Sequence, residues 1–309
     1  MKPLFKWIGI TLAIAAVLNA QTIPKVTGVK VTASVTSNGV FYEYLYSVTN
    51  SGNSTAGIAQ IHVDIAQPTK SLLLDSSGLP SGKGFASDVA ALNANDRNAT
   101  PAVASTADAP IAWVVAPSMA GTILWGAATL DATIHPGQAQ AGFVIYSRGL
   151  PSIRSFSAEP DLDVETLPIA EPTPKTLPVY ITALEQIRNQ ARSAGVTIAP
   201  TAPPATFVPI QFLQTIQSYK ESSVRQGWIV SSGVANSLDV KLNAALAALQ
   251  REDSSTASNE LRALLNEVKA QSGKSLSSEA VALLQINTSY LLAHMKEQSD
   301  DDEARTEEE

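Results

Sequence analysis

Val234-Ala-Asn-Ser-Leu-Asp-Val-Lys-Leu-Asn-Ala-Ala-Leu-Ala-Ala-Leu249 repeats its apolar residues at intervals of three and four. Val234, Leu238, Leu242, Ala245, Leu246 and Leu249 share one side of a helix, and Asp239, Lys241, Asn243 and Gln250 share the other. A stripe this wide is a core face, so it needs partner helices. They lie on either side. From Phe212 to Met295 the same period runs through four segments, punctuated by Gly227, Gly233 and Gly273.

In the first segment Phe212, Leu213, Ile216 and Tyr219 form the stripe, and Gly227 suits the left-handed position just past a helix end, with Trp228 and Ile229 folding back as a plug. Ser231 or Ser232 caps the second segment. Asp253, Ser254 and Ser255 are all good caps for the third, which carries Ala257, Leu261, Leu264, Leu265 and Val268 and stops at Gly273. The fourth starts at Ser277, where Leu276 before the cap can pack on Val281 as a hydrophobic staple. Leu283, Leu284, Tyr290, Leu291 and Met295 continue it, and Asn287 and Thr288, which interrupt the stripe, are expected at its edge.

Within this region Gly233-Val-Ala-Asn-Ser-Leu-Asp-Val-Lys-Leu-Asn-Ala-Ala, Asn259-Glu-Leu-Arg-Ala-Leu-Leu-Asn-Glu-Val-Lys-Ala-Gln-Ser-Gly-Lys and Tyr290-Leu-Leu-Ala-His-Met resemble the FIMAH-type helical module. The resemblance spans roughly residues 208 to 296. It implies an extracellular accessory module of exported bacterial proteins, with no catalytic residues of its own. One departure is Arg251-Glu252-Asp253, between the second and third helices, where a glycine is usual.

The rest of the composition narrows the chemistry. With 309 residues, 45% hydrophobic and 16% charged, the chain can build two ordinary cores. The formal charge is −7, and residues 297–309 supply all of it, with eight acids against Arg305. A neutral body offers phosphate backbones no cationic surface, so nucleic acid is excluded as a partner and the acidic tail is expected to be disordered. There is no cysteine. Disulfides, thiolate catalysis and cysteine-held metals are therefore excluded.

Residues 1–20 have the three parts of a signal peptide: Lys2 and Lys6, the apolar run Trp7 to Leu18, and Asn19-Ala20 before Gln21. Twelve apolar residues fall short of the roughly twenty that span a bilayer. The expectation is cleavage near Ala20 and a secreted, periplasmic or cell-surface chain without a stable membrane span. From Val26 to about Ser157 the period is two, which reads as an Ig-like antiparallel β-sandwich. Its strands include Val29 to Ser34, Val40 to Thr49, Gln60 to Ile65, Ile111 to Val115, Ile123 to Gly126 and Phe143 to Ser147. Between Pro68 and Pro110 lies a long Ser, Gly, Asn and Ala-rich insertion. Prolines recur from Pro160 to Pro209, interrupted by a short helix from Tyr180 to Ala194. The expected order is a signal peptide (1–20), a sandwich (21–160), a Pro-rich linker with one helix (161–208), a helical module (209–296) and a tail (297–309).

Candidate sites are few. Tyr42, Tyr44 and Tyr46 lie on one side of their strand and Phe41, Glu43, Leu45 and Ser47 on the other. The tyrosines could form a sugar-stacking platform, but the acidic and hydroxyl residues opposite favour them as core. His62 and Asp64 share a sheet face, yet a proton shuttle or metal site needs a third group, and His135 and His294 sit in a turn and in the helical module. Asp161, Asp163 and Glu165 alternate like calcium ligands but lack the glycine and remaining oxygens of a calcium loop. Gly78 to Gly84 fails the phosphate-loop spacing, and no Gly-x-Ser-x-Gly elbow occurs. The reading is therefore an exported, non-enzymatic protein with no cofactor and no metal. Its role would be structural, adhesive or binding, its partner an envelope component or a polysaccharide, with a carbohydrate-binding module on the tyrosine row as the alternative.

The helical face makes a direct prediction. Leu242→Ala is expected to cost about 2–5 kcal/mol in urea denaturation, the range for a large-to-small change in a core. A loss below about 1 kcal/mol would place Leu242 outside the core.

Overall fold

The computed structural model describes residues 23–65, 105–118, 122–162 and 173–306. The signal-peptide segment, most of the 68–110 insertion, Gly78 to Gly84, Asp163 and Glu165 lie outside the described residues. Nine strands come first: β1 (Lys30–Ser37), β2 (Tyr42–Thr49), β3 (Ile58–Asp64), β4 (Ser105–Asp108), β5 (Trp113–Ser118), β6 (Thr122–Ala127), β7 (Ala139–Ser147), β8 (Leu150–Pro160) and, after helix α1 (Leu177–Ala191), β9 (Ser193–Thr201). They form a four-stranded sheet in the order β1-β2-β7-β4 and a five-stranded sheet in the order β5-β6-β3-β8-β9, with every pairing antiparallel. Four helices follow: α2 (Pro209–Arg225), α3 (Ser232–Leu249), α4 (Ser254–Gln271) and α5 (Ser278–Thr306). The expected order of an antiparallel β part and then a small helical array is the one observed.

The sandwich core forms where the alternating residues of both sheets meet. Tyr46, Trp125 and Phe143 stack at ring distances of 5.6–5.8 Å, and Trp113 meets Phe143 edge to face at 5.0 Å. Three buried polar groups there are tied to backbone, while the Tyr46 hydroxyl has no hydrogen-bond partner among the described residues. Trp125 Nε1 donates to Asp108 O (2.9 Å), the Tyr44 hydroxyl to Gly149 O (2.7 Å), and Asn50 Nδ2 to Ile134 O (2.8 Å).

In the array, the choice of caps falls on Ser231, whose hydroxyl accepts from the Val234 amide, and on Asp253, whose carboxylate accepts from the Thr256 amide. Gly227 and Gly273 adopt φ of +71° and +69° past their helices, as a left-handed stop demands. Glu252 makes the same conformation without being glycine, at φ +60°. Leu242 is buried in the cluster formed by the four helices, which also takes in Leu276 with Val281 against it. Lys220 on α2 pairs with Asp239 on α3, and Lys241 on α3 pairs with Glu267 on α4 (2.8 Å).

Several expectations are corrected. Residues 161–208 are not simply a linker, because β9 pairs with β8 along its whole length. Thr197, Ile198, Ala199 and Pro200 are all buried, so β9 is covered on both faces and shows no period-two signal. Its fit against β8 is close: a Cβ on Gly149 would meet Thr201 O at 2.7 Å. The end of the 68–110 insertion forms β4, and the strand expected from Ile111 starts at Trp113 instead. Ile111 is 94% exposed in a turn that Ala112 makes at φ +65°. The tail is not wholly disordered either, since α5 runs on to Thr306.

The two parts are also packed on one another. α5 lies against β1, β8 and β9, and its Ala282 and Leu283 join the sandwich core. Asn287 and Thr288, expected at an edge, are both buried, Asn287 at this seam. Asn287 Nδ2 donates to Pro151 O (3.0 Å) and to Leu283 O (2.8 Å). At the start of the helix, buried Glu279 accepts the Ala33 amide of edge strand β1 on Oε1 (2.9 Å) and the Ser277 hydroxyl on Oε2 (2.7 Å). Glu279→Ala is therefore expected to lower stability by about 1–3 kcal/mol by orphaning a buried donor, and to speed hydrogen exchange at the Ala33 amide. Glu279→Gln, which keeps an acceptor oxygen, is expected to cost less. Unchanged exchange at Ala33 in the alanine variant would refute the contact.

Candidate functional site

Strand parity decides which side chains of β2 meet solvent. Tyr44 and Tyr46 are 0% and 1% exposed, and burial pushes both phenols well above the usual tyrosine range. Tyr42 is half-buried near Tyr290, and its phenol is raised first by burial and then by that neighbour. A sugar cannot stack on rings already packed between two sheets, so the tyrosine-row platform is overturned.

The opposite face of the same strand is partly exposed among the described residues: Leu45 is exposed, Phe41, Glu43 and the paired Tyr146 are intermediate, and Val144 beside Leu45 is buried. Phe41 and Leu45 point outward there, Leu45 at 42% exposure, with Glu43 between them. Pairing with β7 sets Glu43 directly against Tyr146, and Leu45 against Val144. On the far side of β7, β4 sets Asp108 against Val144. The Tyr146 ring meets Phe41 edge to face at 5.8 Å and 89°. Its phenol is raised by partial burial first, then by the Glu43 and Asp108 carboxylates. Phe41 is held by the β1–β2 turn, where Asn38 Oδ1 accepts the Val40 and Phe41 amides (2.9 and 3.0 Å) and Gly39 takes φ +87°. The alternation that buries Tyr44 and Tyr46 already assigns Phe41, Glu43 and Leu45 to solvent. The contribution of Tyr146 and Asp108 needed the strand order, which the sequence does not show.

His62 and Asp64 do share the outer face of the other sheet, but they do not work as a pair. Asp64 is engaged by Arg154, whose guanidinium lies 3.4 Å from its carboxylate with the side chain fully buried. Burial lowers the Arg154 pKa, and Asp64 and the Tyr219 phenol oppose that shift. Asp64 therefore serves as a counter-ion, not as a base orienting His62. His62 itself is half-buried, and its Nε2 is enclosed with no hydrogen-bond partner among the described residues. His294 Nδ1 contacts Tyr290 O (2.9 Å) and its ring packs on Tyr290 and Phe207, far in sequence from His62. Among the described residues no group of three or more His, Cys, Asp or Glu is arranged to hold a metal. Nor is any helix among them long and apolar enough to cross a membrane.

Residues 213–293, which contain most of the α2–α5 array, match the model of the FIMAH domain family. This agrees with the resemblance read from Gly233 to Met295 and suggests an exported bacterial protein of the cell-surface kind. No curated protein matches the chain.

The half-buried histidine yields a pH prediction. Desolvation holds the His62 pKa below its ordinary 6.5, with Arg192 and Arg188 adding to the lowering and Glu159 opposing it. The unfolded chain then binds a proton that the folded chain refuses, so stability falls as pH drops below about 6.5 toward the folded value. His62→Gln is expected to flatten the stability slope between about pH 7 and pH 5 in denaturant melts. An unchanged slope would remove His62 as the cause.

Proposed function

We propose that the chain is exported and acts outside the cytoplasm as a non-enzymatic binding or adhesion protein of the bacterial envelope. The observation that carries this reading is the outer face of the four-stranded sheet. There Leu45 is exposed and the Phe41–Tyr146 pair is partly exposed, on a domain whose aromatic core is already filled. Apolar groups that stay partly exposed side by side on a folded domain mark a contact surface. The FIMAH match and the signal-like residues 1–20 support export. The polar pair singled out for chemistry, His62 and Asp64, gives a counter-ion and a half-buried imidazole whose Nε2 is enclosed, which supports binding over turnover.

The helical module fits this reading as a buttress. It supplies the Glu279 acceptor that closes the edge of β1, and β1 flanks β2, the strand that carries Glu43 and Leu45. A binding face gains affinity when its strands are fixed before the ligand arrives. Fractionation of bacteria expressing the full chain is expected to recover it outside the cytoplasm and sedimenting with isolated envelopes. Recovery from the cytoplasm alone, or a turnover abolished by changing one polar side chain, would overturn the proposal.

A further inference from the structure

We propose that the outer face of the four-stranded sheet binds an uncharged glycan, with Phe41 and Tyr146 as stacking rings and Glu43 and Asp108 as hydroxyl acceptors. This rests on the binding role argued above and names its ligand class. Two rings at 89° and 5.8 Å form an angled seat. A pyranose lying with its C–H face on one ring meets the other along its edge, and aromatic faces favour such contacts. Leu45 extends the apolar floor toward β1, being paired with Ser34 on one side and Val144 on the other.

The polar groups around the rings select the ligand. Glu43 faces Tyr146 across the β2–β7 pair, and Asp108 is placed diagonally from it across β4–β7. One oxygen of Asp108 accepts the Ala109 amide (2.8 Å), which fixes the carboxylate on its strand. Carboxylates accept hydrogen bonds from hydroxyls and repel carboxylate or sulfate groups. The pattern therefore suits neutral sugars and disfavours polyuronates and sulfated polymers. It also suits a short oligosaccharide better than a folded partner, because the apolar surface is three side chains bordered by acids, whereas a stable protein interface buries about 800 Å² on each side.

The test is affinity electrophoresis of the full chain in gels containing a neutral polymer (hydroxyethylcellulose, xyloglucan or galactomannan) or polygalacturonate, with envelope sedimentation measured in parallel. At least one neutral polymer is expected to retard the chain, and polygalacturonate is not. Tyr146→Ala and Phe41→Ala are each expected to weaken retention about tenfold or more, the scale of losing one stacked ring. Tyr146→Phe, which keeps the ring, is expected to stay near the parent, and its unfolding midpoint controls for folding. The assignment is overturned if no neutral polymer retards the parent, if polygalacturonate binds best, or if the alanine variants bind as well as the parent. A chain that sediments with envelopes but binds no neutral polymer refutes the glycan site and leaves the envelope role standing. If Tyr146→Ala then loses that sedimentation, the face belongs to a protein partner. Neutral-polymer binding without envelope sedimentation refutes the envelope role and keeps the site.

Discussion

An edge strand presents amide groups that its own sheet cannot satisfy, and β1 meets this constraint with a carboxylate from another part of the chain. Glu279, in the first turn of α5, takes the Ala33 amide in a buried site and is itself held by the Ser277 hydroxyl. The bond joins residues 246 apart in sequence. A charged acceptor on a buried amide is among the stronger hydrogen bonds available to a protein. It also blocks the side of β1 where another strand could add. The helical array therefore completes the sandwich as well as following it.

The rest of the seam has the same character. Asn287 reaches the Pro151 carbonyl, Thr288 next to it in sequence is buried, and the buried Arg154 of β8 pairs with Asp64 and has Tyr219 of α2 near it. Apolar Ala282 and Leu283 fill the space between. Buried polar groups of this kind add little net stability compared with well-packed apolar ones. They do punish any other orientation, since a shifted helix would strand Asn287, Glu279 and the Ala33 amide together. The geometry of the two parts is thus fixed more by what a wrong arrangement would cost than by the attraction of the right one.

The helices were legible because each signal is local. A capping side chain lies three residues from the amide it accepts, a left-handed glycine ends each of two helices, and the stripe repeats within a few turns. Glu252 shows how far that logic extends: the turn kept its left-handed backbone although the side chain there is not glycine. The sandwich was legible where one face is wet, as in β2, whose parity separated Tyr44 and Tyr46 from Glu43 and Leu45. It was not legible in β9, because burial on both faces erases the alternation and the prolines around it, with Pro200 inside it, mimic a linker. The extension of α5 was also missed, since a run of acids reads as solvated chain whether or not its backbone continues a helix. The outer face needed β7 and β4 to be neighbours of β2, and strand order is a property of the whole fold. Asn287 and Thr288 misled for a related reason: polar residues inside a stripe look like an edge until a second domain is known to cover them.

The length of α5 has a mechanical consequence. Its 29 residues make a rod of roughly 44 Å. The first turn of that rod is bonded to β1, and its middle is wedged against β8 through Asn287. Tension applied at its far end would travel along one stiff axis to the Glu279–Ala33 and Asn287–Pro151 bonds, the points at which the helix grips the sandwich.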